Sequence, residues 1–237
     1  MEVNISVKAG ERLLVSPEGN SILYAGLLYR VATVAFERCK LSGSKEDALS
    51  IIIFAASAIE AYLNELGEVS DTFGRASGDE ILKTLSVVLK DAEDSRLPTT
   101  TKCMLAKKFM TGINYDRGAN PYQNFALLID LRNLLIHSKP RGNGIADPSS
   151  QDQRILRNLV TRRLCDDPAN ENFLANIATL KVAHFCCNAA AMMIQDLDAS
   201  YTMPQVHGVA LFSFISDPPE EGLSQTEAMF PIVDLPI

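Results

Sequence analysis

The stretch LIDLRNLLIHSKP, residues 128–140, holds an arginine, an asparagine and one of the chain's three histidines within six residues. Arg132 brings a permanent charge and a planar fork that suits phosphate. Asn133 can hold a hydroxyl or a phosphate oxygen. His137 brings an imidazole, a group that gives and takes protons near neutral pH. Together they make a kit for cutting RNA through its own 2′-hydroxyl. The histidine would activate that hydroxyl or protonate the leaving oxygen, and the arginine would stabilise charge on a phosphorane-like transition state. The plain alternative is that the three residues are the polar edge of an ordinary helix.

On a helix, each residue advances by about 100°. Asn133 and His137 are four apart and share a face. Arg132 and His137 are five apart, which sets them roughly 140° from each other. One helix therefore does not focus the two groups. A second copy would: each chain of a homodimer would add an arginine and a histidine to a shared cleft at the two-fold axis. Pro140 ends the helix, because it lacks an N–H and disfavours a helical predecessor. That places His137 beside KPRGNGIADPSSQDQ, residues 139–153, a turn-rich segment long enough to be an exposed or functional loop.

The elements that must position these residues are mostly helical. Apolar positions at helical spacing predict helices over residues 21–40, with Ser21 as N-cap, and 44–69, capped by Ser44. Further helices are expected over 78–94, over a short stretch within 96–114, over 122–138 starting at Pro121, over 154–164, and over 172–197. The second is apolar all round its middle, which predicts the central helix of a bundle. Glu60 and Asn64 interrupt its second half, four apart and so on one face. The first fifteen residues alternate weakly, SPEGN (residues 16–20) is a turn, and VALFSFI (residues 209–215) suits a strand. The expected organisation is an arm or hairpin over 1–20, a helical domain over 21–200 and a Pro- and acid-rich C-terminal extension over 201–237. The fold class is all-α: a bundle of four to six helices, with room for short β fragments at the termini.

Composition narrows the function. The formal net charge of −7 argues against broad nonspecific binding to nucleic acid but allows a local basic cleft. There is no run of about 18 uncharged apolar residues, so no membrane span is expected. The first residues lack the apolar region of a signal peptide, which makes the cytoplasm the expected location. Five cysteines without a CxxC pattern indicate neither a disulfide framework nor a zinc knuckle. HFCC, residues 184–187, lies in an expected helix where neighbours face different ways, which suits core packing. No metal or cofactor is expected. His184 and His207 lack comparable partners and read as structural.

LRNLLIH resembles the signature of the HEPN superfamily: an arginine, four to six residues, then a histidine, often with a polar residue directly after the arginine. FAASAIEAYLNEL, residues 54–66, resembles an earlier HEPN helix, in which an acidic residue amid small and apolar positions often faces the motif helix. The likeness covers roughly residues 21–140 plus the late helix. It implies a helical bundle that dimerises and, where the motif is intact, a metal-independent endoribonuclease. Such domains act as toxins in toxin–antitoxin pairs, in abortive infection and in other antiviral defence. The expected catalytic residues are then Arg132, Asn133 and His137. Glu60 and Asn64 would orient the guanidinium, against the alternative that Glu60 is a solvated or salt-bridged helix residue. Lys139 and Arg141 would hold RNA phosphate, whereas basic residues 157–163 suit a solvated face. The expected partners are RNA, a second copy of the chain, and an antitoxin or regulatory protein. HEPN toxins paired with nucleotidyltransferase antitoxins usually carry a tyrosine two residues after the histidine; Lys139 stands there, so modification at that position is not supported. LRNLV, residues 156–160, mimics the motif but has Arg162 where the histidine would be. The competing reading is a non-catalytic HEPN-like module that binds a protein or nucleotide, which the net charge and acidic tail favour, or a regulatory subunit.

Overall fold

The computed structural model describes residues 14–16, 19–21, 24–137, 150–165, 173–200 and 229–235. The chain is predominantly α-helical. A two-stranded antiparallel ladder, β1 (Leu14–Ser16) and β2 (Gly19–Ser21), precedes α1 (Ala25–Ser42), α2 (Lys45–Ser77), α3 (Glu80–Asp94), α4 (Thr99–Thr111), α5 (Tyr122–Ile136), α6 (Ser150–Thr161), α7 (Phe173–Ile177) and α8 (Leu180–Ser200). The described residues hold eight helices: each of the seven expected segments is helical, and the last is divided in two, which takes the number past the four to six expected of the bundle. Residues 209–215, Lys139, Arg141 and His207 lie outside the described residues.

Helix α2 is the centre, in contact with α1, α3, α4, α5 and α8. By length and apolar content alone it would also pass as a membrane span. Here Ile51, Ile52, Ile59, Tyr62, Leu63 and Leu66 are buried in the core. Burying one such side chain contributes about 1.5–3 kcal/mol. Ser44 caps α2 through its side chain, which accepts from the Asp47 N–H at 3.0 Å.

Ser21 does not cap α1. It ends β2, and the helix starts four residues later with Tyr24 as N-cap and no side-chain bond from that residue. The free N–H groups of Tyr24 and Ala25 donate instead to a carboxylate from α2, that of Glu65; the Ala25 bond is 2.8 Å. Glu65 is buried, and that burial pushes its carboxyl up to about 7, although the two backbone donors pull the other way. The folded state thus binds a proton that the unfolded state releases near its ordinary carboxylate range. Stability should fall as pH rises from about 4.5 to about 7, then level off. Glu65→Gln keeps an acceptor for both N–H groups and removes the titration. Urea midpoints across pH 4.5–8 should slope downward for the wild type and run flat at this position for the variant, which gains up to about 3 kcal/mol at pH 8. Parallel profiles would refute this account of Glu65.

Helix α2 runs eight residues beyond its expected end at Val69, as far as Ser77. The extra turns pack on α3, and Gly74 is what lets the two helices meet. A Cβ at Gly74 would lie 2.8 Å from the Lys83 backbone nitrogen and 3.1 Å from the Leu82 Cβ. Gly74→Ala should therefore cost about 1–3 kcal/mol by overpacking, read as a lower melting temperature. An unchanged value would show that the α2–α3 hairpin can open freely.

The late helix expected over residues 172–197 is broken. Helix α7 ends at Ile177, and the Thr179 side chain caps α8 by accepting from the Val182 N–H at 3.2 Å. Helix α6 begins at Ser150, one turn ahead of expectation, and is tied to α5 by Arg154 and Asp130 at 2.9 Å. Arg162 at its end donates to Gln123 at 2.7 Å and to Asn124. The mimic of the motif thus serves a structural tether. At the other end of the bundle, Lys107 of α4 meets Asp196 of α8 at 2.9 Å, and the Tyr115 hydroxyl donates to the same carboxylate at 2.6 Å.

Residues 229–235, counted with the C-terminal extension on sequence, lie in the groove between α1, α2 and α8. Phe230 is fully buried there.

Candidate active site

Helix α5 carries the motif because its opposite face is core. Phe125, Leu128 and Leu131 are fully buried, and that fixes the rotation of the helix. Arg132 then projects toward α2. Its Nη2 meets Glu60 Oε2 at 2.9 Å, and its Nη1 donates to Asn133 Oδ1 at 3.0 Å. The second Glu60 oxygen accepts from the Thr99 hydroxyl at 2.8 Å. Glu60 is thus neither free nor merely solvated. It links α2, α4 and α5, and it holds the guanidinium in one orientation. Arg132 Nε is buried with no hydrogen-bond partner among the described residues.

These residues line a cleft of about 310 Å³ together with Asn64, Glu93, Arg96, Pro98, Lys102 and Ile129. Asn64 sits one turn after Glu60 on the same wall. His137 does not line the cleft. It is the exposed C-cap of α5, three residues before Pro140, and its N–H donates to the Asn133 carbonyl at 2.9 Å. The structure therefore gathers Glu60, Asn64, Arg132 and Asn133, and leaves His137 at the helix end, as the five-residue spacing requires.

Four polar lining residues were not singled out on sequence as part of a site: Glu93, Arg96, Thr99 and Lys102. Lys102 is buried and paired with Glu93. Burial draws its ammonium below the ordinary lysine value, partly offset by the Glu60 carboxylate. Arg96 sits in the left-handed region at φ 53°. It closes α3 with paired bonds, Arg96 N–H to the Glu93 carbonyl and Leu97 N–H to the Ala92 carbonyl, both 2.8 Å. Glycine is the usual residue there, and it fills the left-handed position after α1, α2 and α4. An arginine in its place costs about 1–2 kcal/mol. The one signal in the sequence was DSRLPTTTK, where a helix stop and a helix start fall three residues apart.

HFCC is packing. Cys186 and Cys187 are buried, with thiols pushed up by burial, and the His184 ring bonds the Val233 carbonyl at 2.8 Å. Among the described residues, no three His, Cys, Asp or Glu side chains gather as a metal site would require.

The fold and cleft together define the class: a mainly α-helical protein with an arginine-centred, ion-paired cleft between α2, α4 and α5. No family model, curated protein or solved structure matches the chain.

Proposed function

We propose that the protein is an endoribonuclease of the HEPN kind that works without metal as a homodimer, in a toxin or antiviral-defence role in the cytoplasm. The observation that carries this reading is the double tether of Arg132 to Glu60 and Asn133. It holds a guanidinium that is still 22% exposed, so the charge is oriented before substrate arrives. Asn133 spends its carbonyl on Arg132, which leaves its amide N–H groups for a phosphate oxygen. His137 supplies the proton transfers. It takes the proton of the 2′-hydroxyl, whose oxygen attacks phosphorus, or it gives a proton to the departing 5′-oxygen. The products are a 2′,3′-cyclic phosphate and a 5′-hydroxyl. Because Arg132 and His137 diverge on one helix, the reading places the arginine of one copy near the histidine of the other. Glu60 is a positioning residue.

The test is direct. The purified protein, freed of any neutralising partner, is incubated with diverse RNAs in excess EDTA, and the ends are mapped. Cyclic phosphate ends and a dimeric mass in solution support the reading. Uncut RNA under all conditions, from a protein that is dimeric, would overturn it in favour of a binding module.

A further inference from the structure

The end of α3 and the start of α4 meet at the mouth of the cleft. Arg96 is exposed there, held in the left-handed conformation by the two α3 closing bonds, and its guanidinium has no ion pair among the described residues. The other two cations of the cleft are already matched: Arg132 by Glu60, Lys102 by Glu93. The charge in excess is therefore Arg96, in a chain whose net charge is −7. Helix α4 begins at the same place. Its N-cap, Pro98, offers no side-chain acceptor, and the Thr101 and Lys102 N–H groups turn back to the Pro98 carbonyl at 2.8 and 3.1 Å. The N–H groups of Thr99 and Thr100 have no acceptor inside the helix. An unpaired arginine and a helix start that line one cleft suit a tetrahedral oxyanion. The cleft is also large enough for a nucleotide-sized group.

We propose that this cleft, beside the phosphate attacked at Arg132 and Asn133, also holds the phosphate that flanks it in the RNA strand, gripped by Arg96 and the first turn of α4, with Asn64 also lining the cleft. This rests on the endoribonuclease reading for the identity of the strand. The left-handed arginine has a function in this account. Glycine would close α3 without strain, and the arginine places a fixed charge at the cleft mouth.

The test separates binding from cutting. A labelled single-stranded RNA with 2′-O-methyl groups has no nucleophile and cannot be cleaved, so fluorescence anisotropy reports binding alone. Arg96→Gly should weaken that binding about tenfold and lower the salt slope by about one phosphate contact. Its melting temperature should stay level or rise, since glycine relieves the backbone; Arg96→Asn, which also tolerates this region, serves if the glycine variant does not fold. Arg38→Ala removes the same charge from an exposed pair with Asp47 and should change binding less than about twofold. Equal binding by wild type and Arg96→Gly overturns the cleft assignment even if unmodified RNA is cut. Weakened binding without any cutting of unmodified RNA upholds the cleft and sinks the nuclease. Inorganic phosphate that binds while RNA does not overturns the RNA source in turn.

Discussion

His137→Ala is expected to lower RNA cleavage by about 10²–10⁴-fold, the range for a lost general acid or base. The fold should not notice. The ring is exposed at the end of α5, and the one bond by which the residue closes the helix comes from its backbone N–H, which alanine keeps. Stability should change by less than about 0.5 kcal/mol. Binding of an uncleavable RNA should also persist, because the cleft of Arg96 and Arg132 does not include His137. Mixing supplies the sharper check. If the site is composite, an inactive His137→Ala chain and an inactive Arg132→Ala chain should regain part of the activity when they form mixed dimers, because one of the two sites is then whole. A His137→Ala protein that cuts as fast as the wild type would remove the histidine from the mechanism. Failure of every mixed dimer would place Arg132 and His137 in the same chain's site.

Phe230→Ala is expected to cost about 3–5 kcal/mol, the range for emptying a fully buried aromatic site. Phe230 is 0% exposed. Its ring lies 5.4 Å from that of Tyr29 and edge-on to Tyr62 at 6.4 Å. The backbone on either side is held as firmly. Gln195 donates to the Phe230 carbonyl at 2.9 Å, and the Tyr29 hydroxyl donates to the Pro231 carbonyl at 2.5 Å. Asn188 bonds both the N–H and the carbonyl of Val233, at 2.8 and 3.0 Å. Burial pushes the Tyr29 hydroxyl above its ordinary range and keeps it a donor. A few residues of tail thus supply a ring to the core and satisfy polar groups on α1 and α8. A chain ending at residue 228 should lose at least as much stability as the point variant. Denaturant midpoints measure both. A loss under about 1 kcal/mol would show that the groove closes without its plug.

The apolar periodicity and turn residues of this sequence determined that the chain is helical, where most helices lie, and that α2 is central. Those are local matters: 3.6-residue spacing, a serine cap at Ser44 and glycines at helix ends act over one or two turns. The sequence also determined that Arg132, Asn133 and His137 share a helix and that the arginine and histidine must diverge on it. That Glu60, 72 residues earlier, would orient Arg132 was an expectation carried by the resemblance of residues 54–66, beside the alternative of a solvated or salt-bridged helix residue; periodicity showed only the face it shares with Asn64. Only the tertiary structure decided that Glu65 rather than Ser21 would cap α1, that Thr179 would divide the last helix, that Arg96 and Lys102 would join the cleft, and that Phe230 would fill the core. Each depends on which helix faces which, at close approaches such as the one Gly74 permits. That choice is made by the packing of whole surfaces, and no stretch of a dozen residues carries it.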